Sequence, residues 1–69
     1  MSPELELART HLSELREELA AAVENGIADN ALYSADLQEE MKLAEAAYVA
    51  AAVTEIASFR AQLSGPQVG

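Results

Sequence analysis

The sequence predicts an all-α protein, an antiparallel hairpin of two long helices. Three observations carry that expectation. Two long stretches lack internal Gly and Pro, and the pair Asn25-Gly26 separates them. Leucines in the first stretch recur every seven residues. The stretch Leu43–Leu63, LAEAAYVAAAVTEIASFRAQL, is Ala-rich and apolar on more than one side.

Ser2-Pro3-Glu4 reads as a helix start. A serine hydroxyl accepts from the unpaired N–H groups of the first turn. Proline suits the first helical position, where its missing N–H costs nothing. Glu4 and Glu6 set negative charge at the positive end of the helix dipole. Leu5, Leu12 and Leu19, each followed three residues later by Ala8, Leu15 and Ala22, form a heptad a/d pattern of the coiled-coil kind. At 100° per residue these six side chains make one narrow seam. Glu6, Glu14, Glu17, Glu18 and Glu24 fall mostly behind it.

Gly26 suits the left-handed position after a final helical turn, and Ile27 is placed to fold back over that turn. The expected division is a helix over 3–25, a turn at 26–29, a helix over 30–63 and a tail at 65–69. Asp29 and Ser34 are both suitable caps for the second helix. A connection this short sets the helices side by side and antiparallel.

The lengths are unequal. At 1.5 Å per residue the helices span roughly 33 and 50 Å. Paired from the turn, Leu5 comes level with residues 50–52. Beyond lies an overhang with Val53, Ile56, Phe59 and Leu63 on one stripe. Within α-helical geometry Leu37, Met41, Ala44, Tyr48, Ala52, Ile56, Phe59 and Leu63 make one apolar side, and Leu43, Ala46, Ala50, Val53 and Ala57 another. A helix apolar on two sides needs two neighbours, and the first helix supplies one. Self-association follows as the expectation, most simply a two-fold dimer forming a four-helix bundle, with a larger helical oligomer as the extension. Val49, Val53, Ile56, Phe59, Leu63 and Tyr48 are the candidate interface residues.

Composition narrows the function. A 69-residue chain has a small core, and disulfides, metals or association usually support one this size. There is no Cys and one His, which leaves association. Four basic against twelve acidic residues give a net charge of −8. Arg9, Arg16, Lys42 and Arg60 are scattered, so neither nucleic acid nor an anionic membrane is an expected partner. No basic, apolar leader opens the sequence, and Glu45 and Glu55 interrupt the apolar run below bilayer length. The expected setting is the cytoplasm or a soluble particle.

Glu45 and Glu55 lie at or near the first apolar side, so partial burial is expected and calls for partners. Arg9 and Arg16, seven residues apart on the edge of the first seam, are the candidate ion-pair partners. A carboxylate metal site between chains is the sharper reading of the same residues. Di-iron bundles carry Glu-x-x-His on a helix; His11-Leu12-Ser13-Glu14 has the reverse order. His11 reads as a flank residue, and Tyr33, Tyr48 and Phe59 as packing residues, with Glu55 a candidate acceptor for the Tyr48 hydroxyl. No Ser stands in a nucleophile motif and no Gly-rich phosphate loop occurs, so no enzyme activity and no cofactor are expected.

In architecture the layout is similar to the plasmid copy-control hairpin dimer. Leu15-Arg16, Gly26-Ile27 and Ser34-Ala35-Asp36-Leu37 resemble short motifs of the sporulation-phosphatase hairpins, with Gln38 where those carry an acid. Neither resemblance assigns the chain to a family. The leading expectation is a non-enzymatic, oligomerising structural protein that scaffolds a larger assembly such as a virion or another multi-subunit particle. The alternative is a small acidic regulator or inhibitor that binds a basic surface of a partner protein.

Overall fold

The protein folds as two antiparallel helices joined by a short 3₁₀ turn. The computed structural model describes residues 2–65. Helix α1 runs Pro3–Glu24 and α2 runs Ala31–Leu63, with a 3₁₀ turn at Ile27–Asp29 between them. The tail expected at 65–69 falls, from residue 66 onward, outside the described residues.

Each helix end has a local cause. The Leu5 N–H donates to the Ser2 hydroxyl at 3.2 Å, with Pro3 in the first turn. At the other end the Asn25 N–H reaches the Ala21 carbonyl at 3.0 Å and the Gly26 N–H the Val23 carbonyl at 3.2 Å. Gly26 itself sits at φ +75°, where a side chain is strained and glycine is not. The cap of α2 is Asn30, whose side-chain oxygen accepts from the Tyr33 N–H at 3.1 Å. Neither Asp29 nor Ser34 takes that place. The 3₁₀ turn absorbs Asp29, and the Ser34 hydroxyl donates back to the Ala28 carbonyl at 3.0 Å. Ile27, held in this turn, is half in water.

All six residues of the α1 heptad seam face α2. Leu5, Leu12, Leu15 and Ala22 are buried, and Ala8 and Leu19 half-buried. The core cluster is Leu12, Leu15, Leu37 and Ala44, with Leu19, Tyr33, Met41 and Tyr48 packed against it. It is a single layer between two helices and leaves most of each helix in water. The Cα radius of gyration is 17.4 Å, against about 11 Å for a compact domain of this length. The hairpin is 63 Å long and 16 × 13 Å across. No helix among the described residues is long and apolar enough to cross a membrane.

The inner face of α2 departs from the expected stripe past Tyr48. It continues through Ala51, Ala52 and Glu55, all half-buried, while Ile56 is exposed. The steps Leu37, Met41, Ala44, Tyr48, Ala51, Glu55 alternate four and three residues, the repeat that keeps one face toward a neighbouring helix. Steps of four, from Tyr48 to Ala52 to Ile56, rotate about 40° per step away from that face.

Candidate functional site: the exposed end of α2

Glu55 fixes where α1 stops against α2. Its Oε2 accepts from the Ser2 N–H at 3.1 Å and from the Ser2 hydroxyl at 3.2 Å. Ser2 thus caps its own helix and ties it to α2. With Ser2 level with Glu55, Leu5 lies three residues inward, at the level of Ala51 and Ala52. What overhangs is Ile56–Leu63, eight residues or about 12 Å of helix.

This overhang carries three large apolar side chains in water. Ile56 is 54% exposed, Phe59 59% and Leu63 67%. Together with Glu55 and Arg60 they line one shallow trough. Val49 and Val53 are exposed for a different reason. Both lie level with α1; Val49 stands at the edge of the groove between the helices, and Val53 faces outward. Tyr48, expected at the interface, is half-buried against the hairpin's own core and lines the groove between the helices beside Val49. Glu55, the candidate acceptor for its hydroxyl, takes Ser2 as a donor. A second exposed apolar face runs along the back of α2 through Leu32, Leu43 and Val53.

Among the described residues the expected pairing of Arg9 and Arg16 with Glu45 does not form, and Glu55 accepts from Ser2. Arg9 lies 3.7 Å from Glu6, its neighbour three residues back on α1. Both side chains are half in water, so the pair contributes little. Arg16 and Glu45 line the same groove beside Leu12, Ser13 and Val49 without an ion pair among the described residues. Glu45 is exposed.

A second interhelical contact that sequence reading missed, besides Ser2–Glu55, joins the helices near the turn. The Tyr33 hydroxyl donates to Glu18 Oε1 at 2.9 Å. Holding that bond to the Glu18 carboxylate raises the Tyr33 phenol above its ordinary range, with desolvation and the charges of Glu18 and Glu40 adding to the rise. Among the described residues no three His, Asp or Glu side chains are grouped to hold a metal ion, and His11 is exposed.

Compared with protein-family models, curated proteins and solved structures, the chain matches none. The surface itself is therefore the evidence for function. Among the described residues it offers an uncovered apolar helix end with Arg60 at its edge.

Proposed function

We propose that this chain is a non-enzymatic helical hairpin that self-associates through the exposed end of α2 and serves as a structural or scaffolding component of a larger protein assembly, with a virion or other multi-subunit particle as one setting. The observation that carries this reading is the overhang. Ile56, Phe59 and Leu63 lie on one stripe, more than half exposed, beyond the reach of α1. Contiguous apolar surface of this kind marks an interaction site. The thin core supports the same reading, since a chain this short gains much of its stability from association.

The test is the unfolding midpoint measured across a hundredfold range of protein concentration. Association of folded chains makes the midpoint climb with concentration. A constant midpoint with full helicity at the lowest concentration rejects self-association.

A second reading rests on the charge. With a net charge of −8 and carboxylates along the exposed back of α1, the hairpin is suited to mask a basic surface on another protein. Binding to such a partner that weakens steeply between low and high salt, with the hairpin monomeric throughout, favours the regulator over the scaffold.

A further inference from the structure

We infer that a second copy of this chain docks on the Ala52–Leu63 end of α2, antiparallel, with Ala52 opposite Leu63 and Ile56 opposite Phe59. This rests on the self-association proposed above and names its surface and register.

Helix α2 carries two seams. The inner one, Leu37 to Glu55, is covered by α1. The other is displaced by one residue, about 100° around the helix. It runs Val49, Ala52, Ile56, Phe59, Leu63, with steps of three, four, three and four. That is an a/d repeat, and its outer part lines the trough on the overhang. Further inward the same seam positions are Lys42 and Glu45. The seam is thus apolar only toward the C-terminal end of α2, which limits where a partner helix can lie.

Self-complementarity selects the occupant and the register. Pairing Ala52 with Leu63 and Ile56 with Phe59 gives four stacked apolar layers, because the two-fold axis repeats each pair. Each small residue meets a large one. Sliding the partner by one heptad inward sets Leu63 on the Glu45 carboxylate of the second copy. Sliding it outward leaves Phe59 and Leu63 as the only seam pair. A parallel pairing puts Ala52 on Ala52 and Phe59 on Phe59, a void beside a clash. The outer face through Leu32, Leu43 and Val53 is less suitable, since Glu39 lies in its middle by helical position and would be buried there.

The flanks agree with this register. Antiparallel two-fold pairing brings like flanks together, so Arg60 lies beside Val53 of the second copy and its aliphatic stem covers that side chain. On the other flank Gln62 lies beside Glu55 of the second copy. No like charges are brought into contact. The exposed parts of these side chains, taken over both copies, amount to roughly 1,000 Å², the lower limit of a specific interface. The resulting dimer overlaps end to end over about 18 Å of helix instead of stacking side by side as a compact four-helix bundle.

The chain has no cysteine, so Ala47→Cys, at an exposed position on another side of α2, carries a single spin label. In the proposed register the two labelled positions are 21 residues apart along the helix axis, about 31 Å. A side-by-side antiparallel dimer centred on Ala46 and Ala50, or any in-register parallel dimer, brings them level. The expected result is a dimer by sedimentation with a label-to-label distance above about 30 Å by pulsed electron resonance. A dimer with the labels nearer than that overturns the register and leaves self-association standing. A monomer at every concentration overturns both. Leu63→Ala supplies a second readout, because Leu63 lies outside the hairpin core. At unchanged helicity it should weaken the dimer at least tenfold; an unchanged dissociation constant excludes this seam.

Discussion

Phe59→Ala separates association from folding, because its effect differs between the single hairpin and the pair. In the single hairpin the ring is 59% exposed and lies beyond α1. Removing it takes away little that folding had buried, and Ala is the better helix former. In an associated pair the ring leaves water. A phenylalanine buries about 150–250 Å², so a little over half of it remains to be covered by a partner. At about 25 cal/mol per Å² this contributes roughly 2 kcal/mol per copy. A two-fold pair counts it twice, about 4 kcal/mol, or near a thousandfold in dissociation constant. The assay is urea unfolding followed by helix signal at low and high micromolar concentration. The wild-type midpoint should rise with concentration and the variant's should rise far less, the two meeting at the dilute limit. A dissociation constant within threefold of wild type refutes the reasoning. So does a loss of stability equal at every concentration, which would give Phe59 a place in the hairpin's own core.

Other substitutions probe the parts that hold the overhang in place. Leu15→Ala, at a 4% exposed core position, should cost about 2–5 kcal/mol and lower the midpoint at all concentrations. Ser2→Ala removes a helix cap and a tie to Glu55 at once; a loss of about 1 kcal/mol is expected, with faster hydrogen exchange confined to the first turn of α1. Gly26→Ala forces a side chain into φ +75° where no neighbouring atom crowds it, so backbone strain alone should lower stability by about 1 kcal/mol, with Gly26→Asn milder in thermal melts. Because the folded-state pKa of Tyr33 is raised, its bond to Glu18 contributes below the ordinary phenol range and is lost as pH rises through the folded value. Wild type should therefore lose helicity more steeply than Tyr33→Phe in alkaline titration, and equal slopes would show the bond to be idle.

The seam of α1 was legible residue by residue, because a heptad of leucines leaves one way to face a neighbour. The unequal helix lengths were legible too, and with them the overhang. Where the reading failed, a polar group had settled a choice that apolar periodicity left open. Glu55 turns inward because Ser2 supplies two donors to its carboxylate; in the sequence it looks like an interruption of an apolar run. With Glu55 inward the inner face runs through Ala51, and Ile56 is exposed. The cap of α2 falls on Asn30 because a 3₁₀ turn consumes Asp29, a local geometry that several short polar residues in a row do not distinguish. Long charged side chains were the least legible. Arg9 takes Glu6 on its own helix, since a neighbour three residues away requires less ordering than one across the hairpin.

Sedimentation equilibrium of the wild-type chain at micromolar concentrations tests the central claim most directly. The exposed end of α2 predicts a reversible species of twice the chain mass that dissociates on dilution. A single chain mass throughout, with both helices fully formed by circular dichroism, would contradict it.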